Sequence, residues 1–247
     1  MNRLPLSDQL TYRFRPPRHN RFYLWMTNRF LDRVARSYVR VEAFDVAGDG
    51  AIRDLLDRGD GVLLAPNHSD HADSFSVLEL SRRVGRAFHF MAAYQIFQGF
   101  RGHLLNRIGA FPVDREGADL AAYRTSVELL GRGTHPLVIF PEGEIHHLCD
   151  VVTPLREGVA AIATAAAKRL ETSGKTVWIV PVGMKYRFLD HCDPTPALLD
   201  LMDELERRAH WFVDRERPIV ERLYRYAEGM MGLKEFEYLG QTNPGTL

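Results

Sequence analysis

Five apolar runs of strand length recur along the chain with helical patterning between them, and this alternation limits the fold more than any other feature. The runs are GVLLAP (61–66), AFHFMA (87–92), AFPV (110–113), PLVIF (136–140) and TVWIVPVGMKY (176–186). GVLLAP and PLVIF are apolar without alternation, the pattern of strands covered on both faces. Helical periods fill the intervals: near 51–58, from Asp73 to Val84, from Gln95 to Ile108, over 118–131 and, rich in alanine, from Gly158 to Leu170. Strand and helix in turn predict an α/β fold, with a mixed, mainly parallel sheet flanked by helices on both faces.

The flanks read differently. Residues 1–18 hold Pro5, Pro16 and Pro17 with no sustained period and predict an irregular arm. Over 19–38, Phe22, Met26, Phe30, Val34 and Tyr38 recur at four-residue steps while Arg29, Arg33, Arg36 and Arg40 mark another face, which predicts an N-terminal amphipathic helix. Beyond Pro196, Leu198, Leu199, Met202, Leu205 and Ala209 form a helical stripe, followed by a second helix over Pro218–Met231 and a frayed tail, QTNPGTL. The expected organisation is therefore a basic arm and helix (1–48), an α/β core (49–190) and C-terminal helices packed on that core (191–247), as one structural domain.

Charge is unevenly placed. The formal net charge is zero, yet residues 1–40 hold nine arginines against Asp8 and Asp32, a net +7, which leaves −7 for the remainder. Because 28 of 32 basic residues are arginine, arginine itself is unremarkable here, but the scarcity of acids at the front is not. The basic helix suits either packing on its own domain or contact with anionic lipid headgroups. No nucleic-acid motif accompanies it, and no nucleic-acid partner is expected. No run approaches the roughly 18 apolar residues of a spanning helix. Residues 1–17 lack the apolar core and cleavage site of a secretory signal, and two cysteines, Cys149 and Cys192, fit a reducing compartment. The expected location is the cytoplasm.

Chemistry-bearing residues gather where apolar runs end. APNHSDHADS follows the first run and opens a helix, the place where open α/β sheets put ligands. There His68 has the residue type of a general base and Asp73 that of the group orienting it, unless both merely cap the helix. Two His and two Asp within six residues also raise a metal site, but the spacing His68, Asp70, His71, Asp73 is not the alternating run of metallo-hydrolases, and no metal is expected. Arg115, after AFPVD, presents a planar fork for phosphate or carboxylate. Glu142 and Gly143 follow PLVIFP, where a carboxylate suits a substrate hydroxyl or Arg115 and a glycine permits a tight turn. Pro181 interrupts the last run, which suggests an edge or bulge beside a groove.

Taken in order, Asn67-His68 with Asp73, GAFPVDR, FPEG and VPVG resemble the four sequence blocks of the lysophospholipid and glycerol-phosphate acyltransferases, 1-acylglycerol-3-phosphate acyltransferases among them. The resemblance covers residues 66–185. It implies His68 as base and Asp73 as its partner, with Asn67, Arg115, Glu142, Gly143 and Arg156 toward the acceptor and Pro181 at the acyl groove. It further implies an acyl-CoA or acyl carrier protein donor, a lysolipid or other alcohol acceptor, no cofactor, and peripheral attachment to the anionic inner face of a membrane. An acyl thioesterase or a metal-dependent hydrolase is the alternative. The family's third block usually continues with Thr and Arg, where this chain has Glu144 and Ile145. That departure removes an expected phosphate-binding arginine and leaves Arg156, Lys185 or the pair His146 and His147 to compensate. It opens the acceptor to a neutral alcohol, an amine lipid or a lysolipid other than lysophosphatidic acid.

Overall fold

The computed structural model describes residues 12–242. Residues 1–11 of the expected arm and 243–247 of the expected tail lie outside the described residues. The chain divides into two compact units, one ending at Lys185 and one beginning at Tyr186.

The first unit is built on five strands: β1 (Gly61–Pro66), β2 (His89–Ala93), β3 (Ala110–Val113), β4 (Leu137–Val138) and β5 (Val177–Val182). They form one sheet in the order β3-β2-β4-β1-β5, and every pairing is parallel. Among the described residues an antiparallel bridge, His19 to Ile108, lies just before edge strand β3. Among the described residues six α-helices accompany the strands: α1 (Arg21–Val34), α2 (Asp49–Asp57), α3 (Asp73–Val84), α4 (Gly99–Arg107), α5 (Leu120–Arg132) and α6 (Gly158–Leu170).

The unbroken apolarity of GVLLAP has a direct cause. Val62 and Leu64 pack with Ile52 and Leu56 of α2 and Val77 and Leu80 of α3. Leu63, between them, packs on the opposite face with Val127 and Leu130 of α5 and Ile162 and Ala166 of α6. Alternate side chains of β1 thus enter two separate cores, so neither face tolerates a polar residue.

Several elements depart from their expected bounds or form. The β4 ladder holds only Leu137 and Val138, because Pro141 lacks an N–H and Gly143, at φ +79°, turns the chain so that its N–H returns to Phe140 O at 3.2 Å. The helix expected over Gln95–Ile108 is divided into a 3₁₀ turn, Tyr94–Ile96, and α4. Gln98 is extended, Gly99 lies at φ +54°, and a Cβ on Gly102 would run into the Phe97 carbonyl, so two glycines mark the break. Pro181 is on an edge strand, but the β1–β5 register runs without a bulge from Gly61–Val177 to Pro66–Val182.

Helix α1 starts at Asn20, whose side chain accepts from Phe22 N and Tyr23 N, and it continues into a π-helical turn, Ala35–Val39. Its buried residues are Leu31 and, just beyond its end, Ala35, whereas Phe22, Trp25, Phe30 and Tyr38 are exposed. The second unit holds α7 (Thr195–Arg208) and α8 (Ile219–Leu239). α8 passes through Gly232 to end at Gly240 (φ +70°), past the stop expected at Met231. Of the expected α7 stripe, Met202 is buried and Leu198 is exposed. What joins these helices is ionic: buried Arg222 donates to Asp203 at 2.7 Å and Glu206 at 2.8 Å. No helix among the described residues is long and apolar enough to cross a membrane.

Candidate active site

With all five strands running one way, the segments after β1, β3, β4 and β5 emerge at the same edge of the sheet. That geometry brings together stretches far apart in sequence, and the closure is made of specific bonds. Asn67 Oδ1 accepts from Met184 N at 2.6 Å while its Nδ2 donates to Met184 O at 3.0 Å and Ser69 Oγ at 2.8 Å, clasping the end of β1 to the segment after β5. Pro181 stands opposite Ala65 on exposed edge strand β5.

Next to the clasp is His68. Its Nδ1 lies 2.8 Å from Asp73 Oδ2, and its ring stacks on Phe140 with centroids 4.1 Å apart. Asp73 is fully buried in the first turn of α3, where the helix dipole favours a negative side chain. The same Oδ2 accepts from Ser69 N at 2.7 Å and Asp70 N at 3.0 Å. An oxygen already accepting two N–H groups makes Nδ1 the donor, which fixes the imidazole tautomer and leaves the Nε2 lone pair to take a proton.

Glu142 is buried beneath this loop. Oε1 accepts from His68 N at 2.8 Å and Oε2 from the N–H and hydroxyl of Thr153. Burial pushes its carboxyl up, but the bonds from the Thr153 hydroxyl, His68 N–H and Thr153 N–H, with His146 nearby, outweigh burial and hold it below the usual glutamate range. Stability from this link is present above the ordinary glutamate value and is lost as pH falls through the depressed one. Both carboxylate oxygens are thus engaged within the protein, and Arg115 donates instead to the Gly143 carbonyl. Gly143 also admits Arg156, since a Cβ there would meet the Arg156 guanidinium. Arg156 Nε donates to Glu142 O at 3.3 Å and Nη2 to Glu144 Oε1 at 3.3 Å.

The residues expected from the sequence therefore fall into one connected group, from Arg115 and Arg156 through Gly143 and Glu142 to His68 and Asp73. Phe140 and Thr153 join it without having been singled out. Phe140 was visible as an aromatic at a strand end, whereas nothing in the sequence distinguishes Thr153. The two histidines and two aspartates after Asn67 do not converge: Asp73 turns inward to His68, while Asp70 accepts from Ala72 N at 2.8 Å and lies 3.6 Å from His147 Nδ1. Among the described residues no group of three or more His, Cys, Asp or Glu is arranged to hold a metal ion.

A family model described as acyltransferase matches residues 46–185, more than half of the chain. The chain belongs to this acyltransferase family. Every residue of the site, from Asn67 to Pro181, falls inside the matched span, and the span closes at Lys185, where the first compact unit ends. A curated relative, the 1-acyl-sn-glycerol-3-phosphate acyltransferase of Bacillus subtilis (strain 168), is 32% identical over 113 residues, 45% of this chain and 53% of the relative. The chain thus spans about half the length of the curated relative it matches.

Proposed function

We propose that the protein moves a fatty acyl group from an acyl thioester, acyl-CoA or acyl carrier protein, to the hydroxyl of a glycerolipid-type acceptor such as a lysophospholipid. The observation that carries this reading is the His68 Nδ1–Asp73 Oδ2 bond at 2.8 Å, made at the sheet edge where ligands of open α/β folds bind. His68 Nε2 takes the acceptor's hydroxyl proton as its oxygen attacks the thioester carbonyl. The imidazolium, held by Asp73, then gives that proton to the departing thiolate as the C–S bond breaks. No acyl-enzyme and no cofactor take part. Arg115 and Arg156 lie where an acceptor headgroup would meet them, and Pro181 borders the acyl chain. The reading also has α1 and the π-helical turn after it lie on the anionic inner face of a membrane, with Phe22, Trp25 and Tyr38 exposed and Arg29, Arg33 and Arg36 in the same stretch.

Thiol release from palmitoyl-CoA and from palmitoyl carrier protein, by wild type and His68→Ala, with and without lysolipid and alcohol acceptors, tests the reading. Acceptor-dependent release that falls by at least about 10²-fold in the variant supports it. Release without acceptor would make the protein a thioesterase using water at the same base. More than about a tenth of the rate left in the variant would remove His68 from the role.

A further inference from the structure

Building on the acyl-transfer reading, we infer that Glu144 makes this site select acceptors whose headgroup carries at most one net negative charge, disfavouring phosphomonoesters. The segment carrying Glu144 is fastened to His68 on both sides: Glu142 Oε1 accepts from His68 N at 2.8 Å, and His146 N donates to His68 O at 3.3 Å. Glu144 lies midway between these anchors with its side chain 62% exposed. Its carboxylate therefore stands in solvent beside the loop where a headgroup must rest while the acceptor hydroxyl reaches Nε2.

The cations around these loops are largely committed to acids. Arg156 pairs with Glu144 at 3.3 Å, Lys185 pairs with Asp150, and His147 lies 3.6 Å from Asp70. His146 interacts with Glu142. Arg115 donates to a carbonyl, that of Gly143, and among the described residues it makes no ion pair, although Asp114 and Glu116 flank it in sequence. The Arg115 guanidinium, with no carboxylate partner among the described residues, matches one unit of negative charge. A phosphodiester brings one unit. A phosphomonoester brings nearly two at neutral pH, its second ionisation lying near pH 6, and the second unit must compete with the Glu144 carboxylate for Arg156.

The experiment compares kcat/KM for lysophosphatidic acid, a phosphomonoester, with that for lysophosphatidylglycerol, a phosphodiester, in wild type, Glu144→Gln and Glu144→Asp. Wild type is expected to favour the diester about tenfold. Glu144→Gln is expected to raise the monoester-to-diester ratio about fivefold, chiefly through KM, as loss of one like charge at a half-solvated headgroup would. Glu144→Asp, which keeps the charge, is expected to hold the wild-type ratio. In wild type alone the preference is expected to narrow between pH 7.5 and pH 5.5 as the monoester takes up a proton, a readout that needs no variant to fold. A monoester used as well as the diester, or a ratio unmoved by both Glu144→Gln and pH, overturns the inference. No transfer to any acceptor overturns the acyl-transfer reading itself, and the inference with it.

Discussion

One oxygen, Asp73 Oδ2, accepts from His68 Nδ1, Ser69 N and Asp70 N at once. The carboxylate therefore shapes the loop as well as orienting the ring, and these tasks separate on substitution. In Asp73→Asn the amide keeps one acceptor oxygen but adds a donor, which turns toward the imidazole or toward the two loop N–H groups. If it faces the ring, Nδ1 becomes the acceptor and Nε2 carries the proton, so the base loses its lone pair. Turnover is expected to fall about 10²-fold or more, with a further loss of about 1–3 kcal/mol in stability from weakened charge-assisted bonds. Steady-state kinetics beside urea unfolding separates the two effects. A variant that loses stability but keeps more than about a tenth of kcat would reduce Asp73 to a purely structural cap.

At the scale of elements, the parallel sheet has two ends with opposite chemistry. Its carboxyl end gathers the polar site, and its amino end holds three histidines. His19 stacks on His89 with centroids 4.3 Å apart, and His135 meets both edge-on. One ring nitrogen of each faces a carbonyl: His19 Nε2 to Phe88 O at 3.0 Å, His135 Nδ1 to Ala87 O at 2.9 Å and His89 Nδ1 to Gly109 O at 3.4 Å. Burial, then the neighbouring His19 and His135, push His89 down to about 3, and burial likewise lowers His19 and His135. Arg132 beside His89 and Arg86 beside His135 add to the effect. With folded values below the unfolded 6.5, the unfolded chain binds protons first. Stability is whole above pH 6.5 and declines as pH falls toward 3, by about 1.4 kcal/mol per pH unit for each fully shifted group. Urea unfolding at pH 7.5 and 5.5 should show this loss, and His89→Gln, which keeps an N–H for Gly109 O but does not titrate, should shrink it. An equal loss in the variant would place the acid sensitivity elsewhere. None of this cluster is legible in the sequence, because His19, His89 and His135 share no motif and meet only through the adjacency of β2, β3 and β4.

For the whole molecule, legibility follows the range of the forces involved. Strand β1 and helices α3 and α6 match their expected spans because apolar runs and helical periods record burial residue by residue. Parallel topology then places all four sequence blocks at one edge, so the gathering of these blocks was legible too. Its wiring was not: Glu142 to His68 N, His146 N to His68 O and Arg115 to Gly143 O end on backbone groups, which every residue possesses and no side-chain pattern marks. The buried Arg222 was hidden for the opposite reason, since charge reads as surface until two acids are folded around it. Charge also acts at the largest scale. The first 40 residues carry +7 and the remainder −7, so under the proposed reading an anionic surface would draw on the chain through its front. Arg29, Arg33 and Arg36 share a segment with exposed Phe22, Trp25 and Tyr38, and Arg36 also pairs with Glu42 at 3.5 Å, which discounts its share. Replacing the three by Gln is expected to remove about 1 kcal/mol of vesicle binding per arginine near the surface, and less for Arg36. In sedimentation with phosphatidylserine-containing vesicles, affinity should fall between about tenfold and 10²-fold at low salt. The gap from wild type should close as salt shortens the screening length. Apolar insertion by Phe22 and Trp25 alone would instead leave wild type and variant equal at every salt concentration, and α1 would then owe its basic face to something other than lipid.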